Sequence, residues 1–205
     1  MARIGRFVVP GLPHHVTQRG NRRERVFFSD ADYELYRDLL HEACSRESVA
    51  VWSYCLLPNH VHLILTPATP EGLGRALGRG HRRYSTFVNA RNRVTGHLFQ
   101  GRFSSVVMDE EHLMAAARYV ATNPVRAGLV ERAEDWPWSS ARAHLAGRDD
   151  GLVEVAPLLS RCGGRFADLI EAEPAPALTA SLRAAETIGR PLGAPPFLDR
   201  LAALA

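Results

Sequence analysis

VAVWSYCLL (residues 49–57) and HVHLILT (residues 60–66) are two apolar runs separated by the pair Pro58-Asn59. Short runs rich in β-branched and aromatic residues are typical of strands, and proline followed by asparagine is typical of a turn. The stretch therefore predicts two antiparallel strands joined by a tight connection. This hairpin forms the centre of the predicted sheet.

Segments on both sides of the hairpin add further strands and helices. Ser29 is a good N-cap for a helix whose apolar residues recur at spacings of three and four. A later helix is expected to end at Asn123, because the residue before a proline is pushed out of the α region. The outer predictions are a strand over 14–19, a helix over 30–46, a helix over 71–93, a strand over 103–108 and a helix from 109 to 123.

Strand, helix, strand, strand, helix, strand is the order of the split βαβ, or ferredoxin-like, sandwich. The predicted fold class is therefore α+β, with an antiparallel sheet that helices cover on one face and leave available on the other. We expect a main domain over 1–147 and a small helical appendage over 148–205. Within the appendage, residues 171–185 (EAEPAPALTASLRAA) predict a proline- and alanine-rich linker that enters a short helix.

Composition indicates an ordinary globular protein. Of 205 residues, 46% are hydrophobic and 23% are charged, which is typical of a soluble chain with a sizeable core. No apolar stretch approaches the roughly 18 residues needed to span a bilayer, so a cytoplasmic location without membrane contact is the default expectation. The three cysteines are far apart and show no CxxC pairing, which argues against a disulfide framework and a zinc ribbon.

Charge is distributed unevenly along the chain. Residues 1–106 carry 15 arginines against 8 acidic residues, whereas residues 107–205 carry 10 arginines against 14 acidic residues. A basic N-terminal half is the electrostatic pattern expected of a protein that binds a phosphate backbone.

His60 and His62 are the strongest local signal for chemistry. Because side chains alternate along a strand, the two imidazoles point to one face, and Val61 and Leu63 point to the other. That arrangement gives the sheet one apolar face for helices and one face that can hold a metal. Two half-exposed strand histidines without a ligand role are the competing interpretation.

Tyr119 and Asn123 share a face of the predicted late helix, since positions i and i+4 lie one above the other. An amide oxygen suits a hard cation, and a tyrosine beside a polarised phosphate suits a nucleophile. Taken singly, Tyr119 could also be core packing, and Asn123 could also be a helix terminator.

Five stretches together resemble one family. They are HHVTQRGNRRERVFF (14–28), PNHVHLIL (58–65), LFQGRF (98–103), ARYVATNPVRAGLV (117–130) and DWPWSS (135–140). In this order they are similar to the REP-associated tyrosine transposases, a branch of the single-tyrosine HUH transposases. The resemblance covers roughly residues 5–147. Ala141 departs from the pattern, since relatives commonly carry tyrosine there, and we expect an effect on packing.

The resemblance implies a metal-dependent DNA nuclease and strand transferase. His60, His62 and Asn123 would hold magnesium or manganese, and Tyr119 would attack the DNA to form a 5′-phosphotyrosine. The partner would be single-stranded DNA with palindromes that fold into hairpins. Histidine ligands alone would equally accept zinc, nickel or copper. Relatives include dimers that exchange tyrosine helices and monomers that act in cis, so both a monomer and a homodimer remain open.

Arginines of the basic half are the expected DNA contacts, because guanidinium groups neutralise phosphates and stack on unpaired bases. The C-terminal extension could fold back over the main domain, add a weak DNA contact through Arg183 and Arg190, or form a partly ordered tail. The predicted DNA-binding residues are Arg19, Arg22, Arg23, Arg25, Arg82, Arg83 and Arg102.

Two other functions remain possible from the sequence. The chain could recognise hairpins without cutting them, in which case binding would be insensitive to Tyr119→Phe and to a chelator. It could also be a metal-dependent hydrolase in which water attacks and Tyr119 only packs, and cleavage would then leave no covalent adduct.

Overall fold

A computed structural model describes residues 7–173 and 175–204, apart from the side chains of residues 186–188. The strands are β1 (His14–Arg19), β2 (Val49–Leu57), β3 (His60–Pro67) and β4 (Ser104–Val107). The helices are α1 (Asp30–Arg46), α2 (Gly72–Asn92), α3 (Glu110–Arg126), α4 (Ala141–Ala146), α5 (Ala156–Arg161), α6 (Phe166–Glu171), α7 (Pro176–Ile188) and α8 (Pro195–Ala202). A 3-10 turn at Asn21–Arg23 follows β1.

The four strands form one antiparallel sheet with the order β2-β3-β1-β4. Pro58 and Asn59 connect β2 to β3, and Leu57 pairs with His60 on either side of the turn. This is the strand order of the ferredoxin-like sandwich, so the predicted fold class is confirmed. The pairing of β1 with β3 places Thr17 beside His62.

One face of the sheet packs against α1 and α2. Val16, Tyr54 and Leu63 are buried there, together with Leu40 of α1 and Leu77 of α2. The alternation of side chains along each strand sends these residues to this face and sends the two histidines of β3 to the opposite one. The hydrophobic core on the α1–α2 side therefore fixes the direction in which His60 and His62 point.

The opposite face is not left available, contrary to our expectation, because α3 covers it. Leu57 and Ile64 of the sheet are buried against Leu113, Ala117 and Val120 of α3. These strand positions are apolar on the histidine side as well. Covering this face with a helix therefore also stabilises the fold, because apolar surface is removed from water. The polar histidines are thus enclosed between the sheet and α3.

Helix α3 also continues beyond the predicted end at Asn123. Pro124 lies inside its last turn, and the helix ends at Arg126. Proline lacks the N–H that would bind the carbonyl of Val120, but the backbone N–H of Ala127 still donates to the carbonyl of Asn123 at 2.9 Å. One missing hydrogen bond in a final turn does not end the helix, so Asn123 stays in helical geometry.

Both outer strands of the sheet are covered by later parts of the chain. Along β2, the backbone N–H of Leu56 donates to the carbonyl of Trp138, and the N–H of Ser140 donates to the carbonyl of Tyr54. Along β4, the N–H of Leu192 donates to the carbonyl of Val107. The DWPWSS segment and the stretch after α7 therefore complete the edges of the sheet.

Residues beyond 147 fold back onto the rest of the molecule. Phe166 of α6 and Leu182 of α7 are buried against α3, and Phe197 of α8 is buried against Val9 and Val107. The predicted linker over 171–185 is shorter than expected, since α6 ends at 171 and α7 begins at 176. Within residues 7–173 and 175–204, no helix is both long enough and apolar enough to cross a membrane.

Candidate active site

His60 and His62 lie at the start of β3 on the face that α3 covers. Their ring centres are 4.9 Å apart, and the two planes are nearly perpendicular. Asn59 Oδ1 lies 2.6 Å from His60 Nδ1, so Nδ1 carries the proton and donates to this amide oxygen. His60 Nε2 therefore carries the lone pair that a metal ligand needs.

A third histidine, His15 of β1, joins this pair. His15 Nε2 lies 3.1 Å from His62 Nδ1, and the two rings stack with their centres 5.3 Å apart. Since this hydrogen bond engages Nδ1 of His62, a ligand role for His62 requires its other nitrogen, Nε2. The sequence analysis did not identify His15, although the alternating pattern of residues 14–19 placed it on one face of a strand with Thr17.

Burial keeps these imidazoles neutral. It lowers the pKa of His15 to about 4, and burial together with the nearby Arg19 lowers the pKa of His60 to about 4. For His62, burial and the neighbouring histidines hold the pKa well below its usual range. A neutral imidazole is the form that binds metal ions. His60 and His62 are therefore in the protonation state of metal ligands at neutral pH.

Tyr119 of α3 meets these histidines edge-on. Its ring centre is 5.4 Å from that of His62 and 6.2 Å from that of His15. The residue is 9% exposed, so most of this tyrosine is enclosed. Thus a tyrosine from the late helix and the paired imidazoles of the middle strand occupy one site.

Asn123 follows Tyr119 by one turn in the same buried part of α3. The residue is 7% exposed, and its Nδ2 has no hydrogen-bond partner among the described residues. Two neutral imidazoles and an uncommitted amide fit a divalent cation, with the amide oxygen as third donor. In the described part of the chain, no group of three or more His, Cys, Asp or Glu side chains is arranged to hold a metal.

Comparison with known proteins places this chain in a family. The sequence model of the IS200-like transposase family matches residues 8–123. This range includes His60, His62, Tyr119 and Asn123. The chain belongs to the IS200-like transposase family. A protein of Haemophilus influenzae, whose name assigns it to the REP-associated tyrosine transposases, is 25% identical over an alignment 131 positions long, and the match covers 58% of this chain and 73% of that protein.

A solved structure of a REP-associated tyrosine transposase bound to a REP hairpin has the same fold. It is 20% identical to this transposase, with a TM-score of 0.61, and the match covers 76% of this chain and 90% of that one. The resemblance that the sequence motifs indicated is thereby confirmed at the level of family and fold.

Of the predicted DNA-binding residues, those that follow β1 lie near His60. Arg19 pairs with His60 across the β1–β3 ladder, and Asn59 Nδ2 donates to the carbonyl of Arg23 at 3.0 Å. Arg22, Arg23 and Arg25 are exposed in this turn, which we call the basic turn (residues 20–25). The backbone N–H of Gln100 donates to the carbonyl of Arg19. This hydrogen bond brings the loop that contains the exposed Arg102 to the same end of the sheet.

Arg82 and Arg83 lie elsewhere in this transposase. Both are exposed on α2, which packs on the sheet face opposite to the histidines. Arg83 also forms an ion pair with Glu42 of α1 at 2.5 Å, so part of its charge is already neutralised. The predicted arginines therefore lie in more than one place: the basic turn and Arg102 lie at the His60 end of the sheet, and Arg82 lines a cleft with Gln18 and Gly101, next to Arg102.

Two arginines that the sequence analysis did not assign to the active site lie over the ring of Tyr119. The guanidinium carbon of Arg126 is 4.5 Å from the ring centre, and that of Arg183 is 5.9 Å away. Arg126 stands seven residues after Tyr119 and thus on the same helix face, a signal hidden by the predicted helix end at Asn123. Arg183 comes from α7, and no local pattern connects it to Tyr119.

Proposed function

We propose that this transposase cuts and rejoins single-stranded DNA through a covalent bond between Tyr119 and a 5′-phosphate. The observation that carries the proposal is the edge-on contact between Tyr119 and His62, with ring centres 5.4 Å apart. A phenol and neutral imidazoles enclosed at one site supply a nucleophile next to candidate metal ligands. Membership in a transposase family supports DNA cleavage and transfer as the use of this site.

Cleavage exchanges one phosphate ester for another. The hydroxyl oxygen of Tyr119 attacks the phosphorus, the bond between phosphorus and the 3′-oxygen breaks, and the bond between phosphorus and the tyrosine oxygen forms. The phenol loses one proton and the leaving 3′-oxygen gains one, so protons balance. Because the energy of the phosphodiester is kept in the tyrosyl ester, a 3′-hydroxyl can reverse the step on another strand without ATP.

His60, His62 and the amide oxygen of Asn123 are the proposed ligands of a magnesium or manganese ion. When bound, such an ion draws negative charge from the scissile phosphate and so favours attack by the phenol. The neutral state of the imidazoles and the uncommitted amide of Asn123 support this assignment. The contact between His15 and His62 orients the second ligand ring.

Hairpin-forming palindromic DNA is the proposed substrate. A solved structure that shares the fold carries a REP hairpin, and the basic turn of this chain presents three exposed arginines at the His60 end of the sheet. Arginines in this position neutralise the phosphates of a DNA strand that enters the site. Hairpin recognition without cleavage would use the same basic turn but would make no use of Tyr119.

One experiment separates the proposed transferase from the two alternative functions. A pool of single-stranded oligonucleotides with a hairpin stem and randomised flanks is labelled at the 3′ end and incubated with the protein and Mn²⁺. We expect a labelled protein band after denaturation, because the 3′ fragment stays joined to Tyr119. Tyr119→Phe, which keeps the ring but lacks the nucleophile, is the matched control and should give no band.

Each alternative predicts a different gel. Cleaved DNA without a labelled protein band would show that water is the nucleophile and would overturn the tyrosine mechanism. Tight binding without cleavage in Mg²⁺, Mn²⁺ or Zn²⁺ would identify a hairpin-binding protein. A labelled band that persists in Tyr119→Phe would assign the nucleophile to another residue.

A further inference from the structure

The ring of Tyr119 lies beside two guanidinium groups, those of Arg126 and Arg183. Arg126 is in the last turn of α3, Arg183 is in α7, and both side chains are exposed. Among the described residues, no carboxylate lies within ion-pair distance of either one. Two cations within 6 Å of one ring centre repel each other, and an anion bound to both would relieve that repulsion.

A cleft of about 1020 Å³ opens beside this pair, between α3, α6 and α7. Tyr119, Arg126 and Arg183 all line it, and Arg118, which precedes the tyrosine, lines it as well. Five glutamates also line the cleft, of which Glu134 is ion-paired with Arg132, so the positive charge is local to the arginines beside Tyr119; the five are Glu111, Glu131, Glu134, Glu171 and Glu173. The volume is at the upper end of the range for small-molecule sites and is sufficient for a nucleotide with its phosphate.

We propose that Arg126 and Arg183 bind the scissile phosphate and hold it against Tyr119. This inference rests on the proposed function and adds two phosphate-binding residues to it. Both arginines lie outside residues 8–123, the part of the chain that the family model matches. The C-terminal extension thus supplies part of the active site through α7.

Guanidinium groups suit this role better than ammonium groups would. The planar fork of arginine donates two parallel hydrogen bonds to phosphate oxygens, and it can lie flat on an aromatic ring at the same time. Lysine keeps the charge but loses the paired donors. We therefore expect Arg183→Lys to retain only part of the activity that Arg183→Ala loses.

The first test measures adduct formation and DNA affinity separately. With the 3′-labelled hairpin pool at saturating protein, Arg183→Ala should form the tyrosine adduct roughly 10- to 100-fold more slowly than wild type. Its affinity for the hairpin should change less than about threefold, because most phosphate contacts lie elsewhere. Arg200→Ala removes the same charge from the same extension at an exposed residue of α8 that does not line the cleft, and it should form the adduct at the wild-type rate.

The second test changes the substrate. A methylphosphonate at the linkage that wild type cleaves replaces one charged oxygen by a methyl group. If Arg183 acts on that charge, Arg183→Ala should lose much less rate on the methylphosphonate than on the phosphodiester. Equal losses on both substrates, or an equal loss in Arg200→Ala, would overturn the phosphate-binding role, and thermal melting would identify a folding defect.

The gel distinguishes failure of this inference from failure of the proposed function. An adduct that forms in wild type and at the same rate in Arg183→Ala would refute only the role of Arg183. Absence of any adduct in wild type would refute the tyrosine mechanism and, with it, the phosphate-binding pair.

Discussion

Asn123 allows the proposed ligand role to be separated from a structural role. Its Nδ2 has no hydrogen-bond partner among the described residues, although the residue is only 7% exposed. Asn123→Ala should therefore lower the free energy of unfolding by less than about 1 kcal/mol. The Mn²⁺ concentration needed for adduct formation should rise roughly 10- to 100-fold, since one donor is lost. Titration with Mn²⁺ checks this, and an unchanged requirement would remove Asn123 from the ligand set.

His14 makes stability depend on pH. It is fully buried, accepts a hydrogen bond from the N–H of Val9 through Nε2, and donates from Nδ1 to the carbonyl of Leu12. Burial lowers its pKa from 6.5 to about 4, so the unfolded chain binds a proton more readily than the folded one. The stability that the neutral imidazole of His14 contributes is present above pH 6.5 and is lost as the pH falls towards 4.

When the pH is lowered from 7 to 5, the titration of His14 alone should lower the free energy of unfolding by about 1 to 2 kcal/mol. His14→Gln cannot titrate, so its stability should fall less steeply than that of wild type over this range, whatever its value at pH 7. Urea unfolding at both pH values measures the two slopes. Equal slopes would mean that His14 titrates normally in the folded chain.

At the scale of elements, Gly20 fixes the basic turn. A Cβ at this position would lie 2.2 Å from the carbonyl oxygen of Glu24 and 2.9 Å from Val26. Backbone atoms cannot yield cheaply, so Gly20→Ala should destabilise the fold by roughly 1–3 kcal/mol. It should also displace the basic turn and weaken hairpin binding in a fluorescence anisotropy assay.

Gly74 provides the matched control for this substitution. It lies exposed in α2 with open space where a Cβ would be. Gly74→Ala should raise the free energy of unfolding by about 1 kcal/mol, because alanine favours the helix, and should leave hairpin binding unchanged. If both alanine variants behaved alike, the close approach at Gly20 would not be what shapes the turn.

Local patterns predicted the elements well, but not how the elements meet. The alternation around His60 and His62 and the apolar spacing of α1 depend on neighbouring residues, so the sequence displays them. The contact of His15 with His62 depends on the register between β1 and β3, which no single segment encodes. The cover that α3 provides, and the approach of α7 to Tyr119, likewise depend on tertiary packing between distant parts of the chain.

At the scale of the whole molecule, we expect one chain to be sufficient to form the active site. Tyr119, His60 and His62 of the same chain meet in one site, so a monomer acting in cis is the arrangement we expect. Mixing Tyr119→Phe with a His62→Ala variant should therefore restore no adduct. Restored adduct formation in the mixture would show that two chains exchange their tyrosine helices.

The covered outer strands have a consequence for the handling of this protein. The DWPWSS segment binds backbone groups of Tyr54 and Leu56 on β2, and Leu192 binds the carbonyl of Val107 on β4. Neither edge of the sheet therefore offers a long row of unpaired backbone groups to a neighbouring molecule. A chain shortened after residue 147 would uncover the β4 border and expose Val107, which α8 shields. Such a fragment should precipitate or pair with other copies through its uncovered strand, and we expect the chain with residues 148–205 present to do so less.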